Sequence, residues 1–199
     1  MSRREEMLFK NTEFVGYSDL NKKPGFQMGM HRTKDGRYYL YTACFRDNGF
    51  NIVDVTDPAN PVAKWVEGDW VGEVHDGQSL AKLQVADGKL IACYGGTMRV
   101  LHGTHEQPYW GGFKIYDIEA DPLNPKLLGQ FECEDGPGVH RSFYNGGDYA
   151  YIMGSKRNFR GYILRIVDIS DPTNPTEVGS WWADGQYLDT IDDIYLVFH

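Results

Sequence analysis

Only three cysteines occur in 199 residues, and so small and odd a number cannot supply the disulfide framework on which small secreted domains depend. No run of about 18 apolar residues is present, so no membrane-spanning helix is expected. The opening MSRREEMLFKNTEF carries basic residues but no apolar stretch of the secretory kind. Positive charge is in deficit, with 20 Lys and Arg against 28 Asp and Glu, a net charge of −8. An acidic surface repels phosphate backbones and anionic lipid, which sets nucleic acid and membrane aside and leaves cations or neutral ligands as the better partners. A soluble, cytoplasmic location is the expectation. Helix signals are nearly missing, and there is no P-loop, dinucleotide fingerprint, nucleophile elbow or Cys-x-x-Cys pair.

What the chain does have is a phrase written three times: GFNIVDVTDPANPV from Gly49, GFKIYDIEADPLNPKL from Gly112 and YILRIVDISDPTNPTEV from Tyr162. A repeat decides architecture before any single residue is interpreted. Each copy is an alternating apolar strand carrying an Asp (Asp54, Asp117, Asp168), followed by Asp-Pro-x-Asn-Pro at 57–61, 121–125 and 171–175. Pro fixes φ and removes a donor, while Asp and Asn bond their own backbone, so the chain must reverse there. The Asp residues are read as braces of that turn. Cys44 in YLYTACF and Cys93 in KLIACYGG fall at matching places in successive repeats and are read as buried, reduced thiols.

Reading outward from each phrase gives four strands, a to d, per unit. The first is FQMGMHRT, RYYLYTACF, GFNIVDVT and PVAKWVEGDW. The second is VHDGQSLAKLQV, GKLIACYGG, GGFKIYDIE and PKLLGQFECE. The third is VHRSFYNG, YAYIMGS, GYILRIVDIS and TEVGSWWA. Short strands, Gly-rich turns and a period of roughly 45 to 65 residues point to an all-β chain, a β-propeller built from three four-stranded blades. The blades span 26–70, 71–135 with an insertion at 97–111, and 136–183. Residues 1–25 hold a blade-closing strand, since NTEFVGYSDL is similar to the fourth-strand sequence PTEVGSWWAD, and 184–199 form a partial blade or seam strand.

NIVDVTDPANP and LRIVDISDPTNP resemble the LVIVD-repeat family over about residues 26–183. The resemblance implies a propeller, often on bacterial or archaeal surfaces, and no one reaction. Three blades do not close a ring. The expectation is that a second chain completes six or seven blades; the alternative is a piece of a longer propeller.

Three His residues, in GMHR (His31), EVHD (His75) and GVHR (His140), are each read as opening a first strand and so as standing around one mouth of the axial channel. Converging neutral imidazoles suit a divalent transition metal, Zn, Fe, Mn or Cu; the alternative is that they cap the strand against the neighbouring blade. The insertion TMRVLHGTHEQPYWG rises over the same face. It offers His102, His105, Glu106 and Tyr109 for proton transfer or ligation, and Trp110 for stacking a planar substrate. Glu73 and Asp76 beside His75 suit a general base or ligand-orienting role. Arg46, Lys156, Arg157 and Arg160, on the equivalent loops, suit a carboxylate. Arg32 and Arg141 are read as packing residues, because each alternates away from its His.

These residues support a metal-dependent lyase, hydrolase or oxygenase acting on a small polar or aromatic substrate. The alternative is a non-catalytic propeller that binds a ligand or a protein, or a fragment of a larger surface protein.

Overall fold

The computed structural model describes residues 11–44, 47, 49–67, 78–96, 111–133 and 136–188. Among them lie twelve strands and one short 3-10 turn at Leu20–Lys22. The strands form three four-stranded antiparallel meanders. The first is β1 (Gly25–Arg32), β2 (Tyr38–Cys44), β3 (Gly49–Asp54) and β4 (Val62–Glu67). The second is β5 (Gln78–Ala86), β6 (Lys89–Gly96), β7 (Gly112–Asp117) and β8 (Lys126–Glu132). The third is β9 (Val139–Phe143), β10 (Tyr149–Gly154), β11 (Ile163–Asp168) and β12 (Thr176–Trp181). Every strand overlaps one read from the sequence, because two-residue alternation and Gly or Pro punctuation specify short antiparallel strands strongly.

The meanders pack face to face as propeller-like blades. A single residue pair, Cys44 with Leu80, links the first sheet to the second, and an isolated bridge, Gly95 with Gly138, links the second to the third. The first strands stand side by side, β1 packing on β5 and β5 on β9. Alternation divides each sheet between two neighbours. Tyr39, Tyr41, Phe50 and Ile52 meet Leu83, Leu90, Ala92 and Tyr94 in one core. Ile91, Cys93, Phe113 and Ile115, on the far face of the second sheet, meet Val139, Ala150, Ile152 and Val167 in the other. Each fully buried Leu, Ile or Phe is worth about 1.5–3 kcal/mol relative to exposure, so the fold is held chiefly by these two seams.

The repeated turn closes as its composition requires. Asp57, Asp121 and Asp171 each accept a backbone N–H two residues on, from Ala59 (3.1 Å), Leu123 (3.1 Å) and Thr173 (3.0 Å). Asn60 and Asn124 each donate a side-chain N–H to the same Asp at 2.8 Å. The strand-end residues Asp54, Asp117 and Asp168 accept from Thr56, Glu119 and Ser170 at 2.9, 2.8 and 2.8 Å. All six aspartates are turn braces.

The cysteines are free and buried, but Cys44 and Cys93 do not match. Tyr39 pairs with Asp54 and Lys89 with Asp117; in that register Cys44 stands where Tyr94 does, one residue beyond Cys93. With a two-residue period, one step puts the two thiols on opposite faces of their sheets.

Candidate functional site

Relative heights along the first strands follow from contacts between blades. The Phe26 ring lies 3.9 Å from Lys82 Nζ, and Gly29 faces Leu83 and Val85. Gln84 donates to the Ser142 carbonyl at 3.2 Å, and Asp87 accepts from Gly147 N at 2.7 Å. The strands therefore run in one direction, with His140 near the level of Lys82 and Phe26. His31 is five residues further along, roughly 16 Å at about 3.3 Å per residue.

His31 is the seventh of eight residues in β1, paired with Tyr39, and so does not open its strand. It lies at the end where the tight turns gather. Its Nε2 is 3.7 Å from Glu119 Oε2, on the turn after β7, and that carboxylate is held at 2.8 Å by Lys34. The ring is only 7% exposed, and Nε2 has no hydrogen-bond partner among the described residues. Burial pushes its pKa down, against the opposing pull of Glu119.

His140 is the second residue of β9 and is solvent-exposed. It stacks on Tyr162 with ring centroids 5.1 Å apart at 26°. Burial of part of the ring, then Arg141, then Lys82 lower its pKa, which favours the neutral imidazole. The structure thus does not bring His31 and His140 together. His75, His102, His105, Glu73, Asp76, Glu106, Tyr109, Trp110 and Arg46 lie outside the described residues. Among the described residues, no three His, Cys, Asp or Glu side chains form a group that could hold a metal ion.

Two other features occupy the face where the β10–β11 loop meets the segment after β12. The first is basic. Lys82 and Arg141 lie close enough for Arg141 to lower the Lys82 pKa, although burial is the larger cause, and both depress His140. Among the described residues neither cation has a carboxylate partner within ion-pair distance. Arg141 is exposed rather than packed away; it pairs with Met153 and stands two residues from Phe143, which puts it on the uncovered outer face of the third sheet. Arg32 is exposed as well, its guanidinium 5.7 Å from the centre of the Tyr38 ring, itself exposed. The second feature is aromatic: Phe159 meets Trp182 and Tyr187 edge-on at 5.0 and 5.2 Å. Backbone bonds from Arg160 N to Gln186 O (2.7 Å) and Leu188 N to Asn158 O (2.9 Å) hold the two segments together.

Of the loop cations, Lys156 is committed to Glu177 at 2.7 Å. Arg157 and Arg160 are exposed on that loop. None of the sequence motifs marks Lys82, Phe159, Trp182 or Tyr187. The signal available was WWADGQY directly after a fourth strand, on the same face as the loop that carries Phe159.

The LVIVD repeat model matches residues 38–66 and 146–182. The chain carries LVIVD repeats. The matched stretches cover β2–β4 and β10–β12, the strands that carry the alternating core and the braced turn. No curated protein matches the chain. Among the described residues, no helix is long and apolar enough to cross a membrane.

Proposed function

We propose that this protein is a binding module: a propeller closed by two copies of the chain that takes a small anionic, aromatic ligand on its loop face. The observation that carries this reading is His140, stacked on the Tyr162 ring and within electrostatic reach of both Lys82 and Arg141. In a chain of net charge −8, two cations that repel one another and have no carboxylate partner among the described residues cost energy that an anion repays. The Phe159, Trp182 and Tyr187 rings supply flat apolar walls on the same face.

Ring closure is supported by the two outermost sheet faces. Tyr149, Tyr151, Met153 and Phe143 continue the alternation that at the inner seams is buried, yet they stand exposed, Phe143 at 57%. On the first sheet, Met28 at 59% and Met30 at 55% do likewise. Contiguous exposed apolar faces of this kind mark interaction surfaces.

The ligand reading is tested with benzoate and 4-hydroxybenzoate, and with benzylamine as the cationic control, in calorimetric titration of the wild type and of Lys82→Gln/Arg141→Gln. Carboxylates are expected to bind the wild type and to lose at least tenfold in affinity in the variant, with no binding of benzylamine. Carboxylate binding that is absent, or equal in both proteins, overturns it.

The metal-dependent enzyme is the second reading. It is favoured by His140, an exposed imidazole kept neutral on an inner strand, with His75, His102 and His105 as further donors. Elemental analysis of tag-free protein against His75→Ala/His140→Ala tests it: metal near one equivalent, lost in the variant, is expected, and no metal in either after reconstitution refutes it.

A further inference from the structure

The fourth strand of the third blade carries a glycine for which its own blade gives no reason. Gly179 in β12 does not adopt a positive φ, and an added Cβ would lie 3.6 Å from Ile166 Cδ1, an ordinary contact. Glycine inside a strand weakens it, and where φ does not demand it, the usual reason is close approach of another backbone.

The second blade shows what approaches. Gly129 in β8 pairs with Ile115 just past a register shift, as Gly179 in β12 pairs with Ile166 just past one. In both sheets the residue before the glycine is the one bulged out. An added Cβ at Gly129 would run into Pro172 O and the Thr173 backbone, the Asp-Pro-x-Asn-Pro turn of the next blade. At the first seam, Lys64 holds the matching place and reaches the second turn with its side chain, donating to Leu123 O at 2.8 Å and Asn124 Oδ1 at 2.6 Å. Every inner seam therefore joins a fourth strand to the following blade's turn.

The turn at 57–61 on the first blade also has something seated on it. An added Cβ at Gly16 would overlap Pro58 O and meet Ala59 Cα at 3.1 Å, the same atoms of the turn that Gly129 meets at the second seam. Residues 12–16, TEFVG, are close to the TEVG of β12. This stretch forms no strand ladder. A groove of about 420 Å³ lies between it and the first sheet, with Tyr17, Met28, Leu40 and Val53 in its lining.

We propose that β12, through Gly179, docks on the 57–61 turn of a second copy of this chain, and that residues 11–18 occupy that seat in cis and compete with it. This rests on the ring-closure reading above and adds a regulating element to it. The partner is a second copy because β12 reproduces the bulge and glycine of β8, and because the turn it needs, which no described residue supplies beside Gly179, is present on the first blade under a close sequence copy of β12.

The test is sedimentation velocity over a concentration series on the full chain, on Gly179→Ala and on Gly16→Ala, with circular dichroism and thermal unfolding as the folding control. Gly179→Ala is expected to keep its fold, since among the described residues the atom nearest the added Cβ is 3.6 Å away, and to weaken the dimer at least 100-fold. Gly16→Ala dislodges the segment and is expected to tighten the dimer at least tenfold. A dimer unchanged by Gly179→Ala overturns the docking assignment. A dimer weakened by Gly16→Ala overturns the competition and makes the segment part of the seam. Both of those results leave ring closure standing, whereas a chain that stays monomeric in all three forms overturns ring closure itself.

Discussion

Removing the Glu177 carboxylate is predicted to be among the most damaging single changes outside the apolar core. Arg165 is 5% exposed and lies against the Phe131 ring at 4.8 Å. Its guanidinium donates to Glu177 Oε2 through Nε (3.0 Å) and Nη2 (2.6 Å), and to the Ser155 carbonyl through Nη1 (2.7 Å). Lys156 holds the other carboxylate oxygen at 2.7 Å. Glu177→Ala leaves a buried guanidinium with one neutral acceptor, and breaking a buried pair in this way costs about 3–5 kcal/mol. At about 2–4 °C per kcal/mol for a chain of this size, the melting temperature is expected to fall by about 6–20 °C. Urea unfolding at pH 7, followed by circular dichroism, measures it. Arg165→Met/Glu177→Leu, which removes both charges, is expected to recover most of the loss. Burial alone would raise the Glu177 pKa, but hydrogen bonds from Lys156 and Arg165 outweigh it and hold the carboxyl below its ordinary 4.5. Its contribution is therefore complete above pH 4.5 and fades as pH falls through the lower folded value. Glu177→Gln is expected to lack that acid limb. A loss below about 1 kcal/mol in Glu177→Ala, with the double variant no better, would refute the argument that the pair is buried and uncompensated once broken.

Gly129→Ala forces a Cβ into Pro172 O and is expected to cost about 1–3 kcal/mol as overpacking, read by the same denaturation assay; Gly179→Ala, with room beside it, is the control. His31 carries a pKa lowered by burial from 6.5, so the unfolded chain takes up a proton more readily than the folded one. The His31 contribution to stability is thus full above pH 6.5 and falls as pH drops below it, and His31→Phe is expected to make that limb shallower in melts from pH 7.5 to 5.5, leaving the part due to His140. Burial pushes the Cys93 thiol up to about 12 and Cys133 to about 11, and raises Cys44. Disulfide-exchange reagents at pH 8 are expected to find almost no reactive thiol in the native protein and three after denaturation.

The strands were legible because alternation, Gly-rich turns and Asp-Pro-x-Asn-Pro act locally and agree with one another. The bracing role of Asp54, Asp117 and Asp168 was legible for the same reason: side-chain capping of a turn is settled within three residues. The placement of His31 was not. Matching GMHR to GVHR aligns the letters but ignores where β1 begins, and β1 runs six residues before its His whereas β9 runs one. The same error of one or a few residues misaligned Cys44 with Cys93. The cluster of Lys82, Arg141 and His140 arises between two blades from residues about 60 apart in the chain, and no local pattern announces it. The likeness of residues 12–16 to β12 was visible in sequence, while the turn beneath Gly16 required the structure.

The most direct measurement is sedimentation equilibrium of the unmodified chain from micromolar to millimolar concentration. Ring closure by two copies predicts a single species at twice 22.7 kDa, giving way to monomer on dilution. A mass of 22.7 kDa throughout, or growth without limit into larger polymers, would contradict it.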